Sequence, residues 1–280
     1  MQNYVIALGF FDGVHLGHGG LLRRTRELAQ AHGLIPAAFT LDPHPSVLFS
    51  PHPVGQLTTL ELREALMRQL YGIEKLFVLP FTPQSCTQPW DEFTDELLIG
   101  KYHGAYFVSG RDYRFGDRGE GTPERLAEKC RMLGLGYDCV DDIFLEGRKV
   151  SSTYIRSLLE SGEMAKAVRF LGHPHLLRGT AASEAASGRT ILRVPPELLL
   201  PHSGIYAARA YFGGAERPAV VDIDTESGMV APFLSDFEGN LEGRTVTLAL
   251  YELLHKGVAT PDTLHDCAAR TRAFFSRDCV

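Results

Sequence analysis

Gly9-Phe10-Phe11-Asp12-Gly13-Val14-His15-Leu16-Gly17-His18 follows a short apolar run, Tyr4-Val5-Ile6-Ala7-Leu8, and precedes an amphipathic segment at residues 21–31. Strand, glycine-rich turn and helix in that order open an α/β sheet. The glycines let the backbone approach a ligand closely, and a helix start presents unpaired N–H groups to an anion. His15 and His18, three residues apart, can donate to phosphate oxygens from one side. The residues also admit a plainer reading, in which the histidines only cap the helix. A zinc reading would need a further ligand, such as Asp42 or His44.

Outward from this turn the alternation continues. Leu21, Leu22, Thr25, Leu28 and Ala29 recur at helical spacing, and Gly33 ends the segment. Strand-like runs at 35–41, 75–81, 105–108 and 137–140 alternate with helix-like segments at 60–71, 90–102 and 122–133. Two further helical segments follow at 152–160 and 163–171. This pattern predicts a doubly wound parallel sheet. After Gly172-His173-Pro174 the pattern changes to short alternating stretches at 190–194, 204–211, 218–223 and 244–251. They predict a small antiparallel barrel or sandwich, followed by an amphipathic helix at 261–275. The domain boundary is placed near residue 175, giving domains 1–175 and 176–280.

Composition narrows the class. The 280 residues are 44% apolar and 22% charged, which excludes a disordered chain and suffices for two domains with cores. Twenty-eight basic against 34 acidic residues give a net charge of −6, which disfavours coating a nucleic acid but not a small anionic ligand. No apolar run approaches the roughly 18–20 residues of a membrane span, and the N-terminal residues lack a signal-type pattern. Cys86, Cys130, Cys139, Cys267 and Cys279 are odd in number, scattered and free of CxxC spacing. They read as reduced thiols, with a cytoplasmic location expected.

Three other segments bear on the chemistry. Thr40-Leu41-Asp42-Pro43-His44-Pro45 lies where the second strand should end, and ligands of open α/β sheets gather at the carboxyl ends of strands. Ser109-Gly110-Arg111-Asp112-Tyr113-Arg114-Phe115-Gly116 follows the fourth strand-like run and mixes aromatic faces, an acid and arginines. Ser151-Ser152-Thr153-Tyr154-Ile155-Arg156 opens a helix, where hydroxyls cap the helix or bind phosphate.

The order of these four segments resembles the prokaryotic bifunctional riboflavin kinase/FMN adenylyltransferase family. Its first domain is a Rossmann-like nucleotidyltransferase marked by His-x-Gly-His, and the match covers about residues 4–175. The resemblance implies transfer of AMP from ATP to FMN, giving FAD and pyrophosphate, with Mg²⁺. It implies that His15 and His18 bind the ATP phosphates and that Gly9, Phe10, Phe11, Asp12, Gly13 and Gly17 shape the nucleotide loop. Ser151, Ser152, Thr153 and Arg156 resemble a second phosphate clamp, and Asp42 and His44 would border the reacting phosphate. Asp112, Tyr113 and Phe115 would line the flavin side, with Arg114 or Arg118 near the FMN phosphate. No metal ligand is assigned. The expected partners are small-molecule nucleotides and flavins, not a nucleic acid or a membrane.

In the second domain the framework of a riboflavin kinase barrel resembles this sequence, with Gly204-Ile205-Tyr206, Asp236-Phe237 and Leu241-Glu242-Gly243 as its marks. The chemical parts differ. Gly188-Arg189 leads into Thr190-Ile191-Leu192-Arg193-Val194-Pro195-Pro196-Glu197 in place of the family's Pro-Thr-Ala-Asn. The family's catalytic glutamate falls on Ala231, which cannot accept a proton. The expectation is an FMN adenylyltransferase with an inactive kinase-like domain. Two alternatives stay open: a flavin- or nucleotide-binding protein with faded transferase activity, and a bifunctional enzyme.

Overall fold

The computed structural model describes residues 2–184, 188–234, 237, 239–257 and 259–276. Asp236 and Cys279 lie outside them. The chain divides into two compact units: Met1–Val54 with Leu60–Val150, and Gly55–Thr59 with Ser151–Val280.

In the first unit β1 (Tyr4–Leu8), α1 (Leu16–His32), β2 (Ile35–Asp42), the short α2 (Ser46–Phe49), α3 (Leu60–Tyr71) and β3 (Lys75–Pro80) follow one another. A helix then starts as α4 (Trp90–Glu92) and continues with π geometry over Phe93–Lys101. After it come β4 (Gly104–Gly110), α5 (Pro123–Leu133), β5 (Gly136–Val140) and a small hairpin of β6 (Phe144–Leu145) and β7 (Arg148–Lys149). The five long strands form one sheet in the order β3-β2-β1-β4-β5, and every neighbouring pair is parallel. The expected doubly wound parallel sheet is present.

Each face of the sheet is apolar, as a parallel sheet covered on both sides requires. Ile6 and Leu8 of β1 join Phe39, Phe93, Phe107 and Leu126 on one face. Val5 joins Leu28, Ala29 and Val108 on the other, the two-residue period of a strand. The chain leaves β1 toward β2 on one side and returns as β4 on the other, so the crevice beyond the carboxyl ends of β1 and β4 is the switch point.

In the second unit α6 (Ser152–Glu160) and α7 (Met164–Leu171) precede strands β8 (His175–Ser183), β9 (Thr190–Arg193), β10 (Gly204–Phe212), β11 (Ala215–Asp224), β12 (Met229–Phe233) and β13 (Thr245–Lys256). Their order is β12-β11-β10-β13-β8-β9, with antiparallel pairing throughout. The edge strands β9 and β12 approach each other, so the sheet nearly closes into a barrel. Helix α8 (Pro261–Ser276) packs on β10 and β11 through Cys267, which meets Ile205 and Val220. The sequence pattern marks neither β8 nor β12. Pro232 interrupts β12, and proline inside a run demotes it as a strand.

His175 opens β8 opposite Leu250 and is fully buried, with no hydrogen-bond partner at Nε2. Burial, helped by the nearby His173, pushes its pKa down to about 4. The unfolded chain takes up this proton near pH 6.5, the folded chain only near 4. Stability is therefore full above about pH 6.5 and falls by about 3 kcal/mol as the pH drops toward 4. Urea midpoints between pH 7.5 and 5 should show this fall, and His175→Gln should flatten it. An unchanged pH slope in the variant would contradict the assignment.

Candidate functional site

The turn after β1 is held in an uncommon conformation. Phe11 and Val14 adopt φ of 60° and 41°, beside Gly13 at 80°, and the Val14 N–H donates to the Phe11 carbonyl at 3.0 Å. Left-handed backbone at non-glycine residues is costly and persists where the surroundings over-determine it. Here Phe11, Asp12 and Val14 are buried, so they shape the turn from within.

Helix α1 begins at Leu16, five residues before the expected start, so His18 sits in its first turn. Gly17, Gly19 and Gly20 hide that turn in the sequence, because glycine is a poor helix residue. The structure explains two of them. A Cβ on Gly17 would lie 2.9 Å from the Val150 carbonyl oxygen and 3.0 Å from the His15 ring, and one on Gly19 would lie 2.4 Å from the Tyr71 hydroxyl.

His15 is the N-cap of α1, whereas His18 lies inside the helix and does not cap it. The His15 Nδ1 accepts the His18 N–H at 3.2 Å, so a neutral His15 carries its proton on Nε2. The two imidazoles stack, with centroids 3.6 Å apart and planes 12° from parallel. His18 is only partly covered, but its Nδ1 is shut off from solvent and has no partner. Burial first, then His15 and Arg63, hold the His18 pKa well below the ordinary value, so the ring is neutral at pH 7. No acidic side chain stands in the first turn of α1, which leaves the positive end of its dipole uncompensated.

At the end of β2, the His44 Nδ1 accepts the Ser46 N–H at 3.0 Å and lies 2.7 Å from the Ser46 hydroxyl. The His44 ring stands edge-on to Phe10, 4.5 Å between centroids. Behind Phe10 lies a residue the sequence reading did not assign. Arg63 of α3 is fully buried, and its guanidinium carbon lies over the Phe10 ring, 4.2 Å from the centroid. The signal for it is periodic: Arg63 precedes Leu66 and Met67 by three and four residues, on the buried stripe of α3.

An apolar cavity of about 390 Å³ opens beside this turn. All five residues expected on the flavin side, Asp112, Tyr113, Arg114, Phe115 and Arg118, line it together with Gly9 and Phe10. Further aromatic walls come from Phe49, Phe81 and Phe93, none of them singled out by the sequence. Tyr113 stacks on Phe115 at 5.4 Å, and burial raises its hydroxyl pKa well above the ordinary value. Asp112 is exposed and pairs with Lys149, which keeps its carboxyl below the usual range. His15, His18, Asp42 and His44 do not line the cavity, and Phe10 lines it while also meeting His44.

In the second unit Ser151 caps α6, accepting the Tyr154 N–H at 3.3 Å. Ser152 and Thr153 occupy the first turn, and the Arg156 Nε donates to the Gly55 carbonyl at 2.8 Å. In the barrel, Ala231 is fully buried and pairs in register with Asp222, and Arg189 lies 3.5 Å from the Asp222 carboxylate.

The family profile described as FAD synthetase matches residues 1–154. A bifunctional riboflavin kinase/FMN adenylyltransferase of Listeria monocytogenes is 33% identical over 296 residues, 98% of this chain and 93% of the relative. One from Bacillus subtilis is 29% identical, covering 89% and 83%. A Listeria monocytogenes FAD synthetase is 24% identical, covering 80% and 89%. The fold is shared with a crystal structure of a macrolide-efflux protein from Streptococcus pneumoniae, with a TM-score of 0.83, 23% identity, and coverage of 97% of this chain and 93% of that one. No helix among the described residues is long and apolar enough to cross a membrane. With its opening motifs, its sheet and its matches over nearly the whole length, the chain belongs to the FAD synthetase family of FMN adenylyltransferases.

Proposed function

We propose that the protein transfers the AMP group of ATP to the phosphate of FMN, giving FAD and pyrophosphate. The observation that supports this best is an aromatic cavity of ligand size lined by Gly9 and Phe10, the residues that open the turn into the histidine-bearing helix start at the switch point of the sheet. An FMN phosphate oxygen attacks the α-phosphorus, a new P–O bond forms, and the bond to the β-phosphate bridging oxygen breaks. This chemistry needs positioning and charge neutralisation rather than a protein nucleophile.

His15 and His18 are assigned to the departing phosphates. An imidazole that is neutral in the free protein gains a proton more readily once a polyanion lies beside it, which offsets the charge growing on pyrophosphate. Gly9, Phe10, Gly13 and Gly17 are assigned to the nucleotide loop, with Phe11 and Asp12 supporting it. Asp42 and His44 are assigned to the edge of the reacting phosphate. Ser151, Ser152, Thr153 and Arg156 are assigned to phosphate oxygens by the family motif. Asp112, Tyr113 and Phe115 take the flavin ring, and Arg114 or Arg118 its phosphate. Among the described residues no cluster of three or more His, Cys, Asp or Glu could hold a metal ion. Mg²⁺ would enter with ATP, held by its phosphate oxygens.

The barrel is read as lacking riboflavin kinase activity, with domains 1–175 and 176–280 as the functional halves. Ala231 stands where the proton acceptor would be, and no Pro-Thr-Ala-Asn segment follows Gly188-Arg189. The bifunctional reading is favoured by the retained six-stranded barrel and by relatives with bifunctional names. Incubation with ATP and Mg²⁺ separates the two. The expected result is FAD from FMN and no product from riboflavin. FMN formed from riboflavin would overturn the inactive-barrel reading, and no FAD from FMN would overturn the transferase reading.

A further inference from the structure

Arg63 is the largest fully buried side chain among the described residues, and it is charged. A buried guanidinium is expensive unless its donors and its charge are satisfied. Its Nη1 donates to the Phe10 carbonyl at 3.0 Å and to the Thr40 hydroxyl oxygen at 3.1 Å. The Thr40 hydroxyl donates to the same Phe10 carbonyl at 2.8 Å. The three groups form a closed triangle across the exits of β1 and β2. Asp12 and Asp42, one at each exit, supply the compensating negative charge, although burial still lowers the Arg63 pKa on balance. The guanidinium carbon lies over the Phe10 ring, 4.2 Å from its centroid, while Nη1 reaches two acceptors, a combination that a single lysine ammonium does not match.

Phe10 is therefore clamped at two points, its carbonyl oxygen and its ring. That residue lines the cavity and also meets His44. We propose that Arg63 is a positioning residue that fixes Phe10 and so ties the geometry of the flavin cavity to that of the triphosphate turn. This rests on the transferase reading above and deepens it by naming a side chain that touches neither substrate. Removing the arginine alone leaves the charges of Asp12 and Asp42 without its compensation, so a loss of stability is expected whatever its role. An arginine kept for stability alone would leave FMN affinity and kcat unchanged in a variant that still folds. A positioning arginine would not.

The test compares wild type with Arg63→Met and Arg63→Lys in steady-state FAD formation and in FMN binding, read by quenching of flavin fluorescence. Arg63→Met is expected to weaken FMN binding at least tenfold and to lower kcat at least thirtyfold. Arg63→Lys should regain much of the flavin affinity, because it restores a donor to the Phe10 carbonyl, but less of kcat. If Arg63→Met fails to fold by circular dichroism, Thr40→Val supplies the readout. It breaks one side of the triangle and should reduce kcat severalfold with little change in melting temperature. A folded Arg63→Met with FMN affinity and kcat within twofold of wild type would overturn the proposal, as would a folded Thr40→Val of wild-type kcat in its place. Absence of FAD from the wild type would instead count against the transferase reading. The fluorescence titration would then still decide the role of Arg63.

Discussion

Asparagine in place of His15 is expected to lower the rate of FAD formation by about 10²–10³-fold, the range for loss of one preorganised donor to developing charge. The choice of asparagine isolates the chemistry from the fold. Its side-chain oxygen can accept the His18 N–H as the His15 Nδ1 does, and asparagine is among the best N-caps, so α1 keeps its start. What disappears is the Nε2 proton donor and the stacked partner of His18 at 3.6 Å. Steady-state kinetics with FMN and ATP, beside a thermal melt, checks both halves. A rate within tenfold of wild type would contradict the assignment of His15 to the chemistry and leave it the role of helix cap.

The second large effect concerns the loop after β4. Gly116 adopts φ 72° and ψ −177°, a region open essentially to glycine alone. A Cβ there would also lie 2.6 Å from the Cα of Trp90 and 2.8 Å from its backbone nitrogen, atoms that cannot swing aside. Gly116→Ala must therefore move the loop that carries Tyr113, Phe115 and Arg118 along the cavity wall. The expected outcome is a KM for FMN raised at least tenfold, with the KM for ATP changed far less, and a stability loss of about 1–3 kcal/mol. Wild-type KM for FMN in a folded variant would show that this loop does not set the flavin site.

The elements most legible in the sequence were those whose local chemistry agrees with their final surroundings. The apolar run Tyr4–Leu8 is a central parallel strand, and Gly33 and Gly134 end helices α1 and α5 in left-handed conformations. The loop 109–116 was readable as a ligand segment because its aromatic and charged residues follow a strand end, and its residues from 112 to 116 all line the cavity. What the sequence concealed depends on long-range contact. The first turn of α1 is rich in glycine for the sake of Val150 and Tyr71, distant in sequence. Arg63 falls on the buried stripe of α3, but nothing local tells that its guanidinium reaches the Phe10 carbonyl and the Thr40 hydroxyl. Residues 93–101 carry a helical pattern that cannot distinguish α from π geometry. Phe49, two-thirds exposed in a four-residue helix, has no periodicity to announce that it borders a cavity.

One tracer measurement reaches the central claim most directly. ATP carrying a radiolabel at its α-phosphate is mixed with FMN and the purified protein, and the products are separated. The account predicts label in FAD and unlabelled pyrophosphate released in equal amount. Label left in ATP, or released as free AMP with no FAD formed, would contradict it.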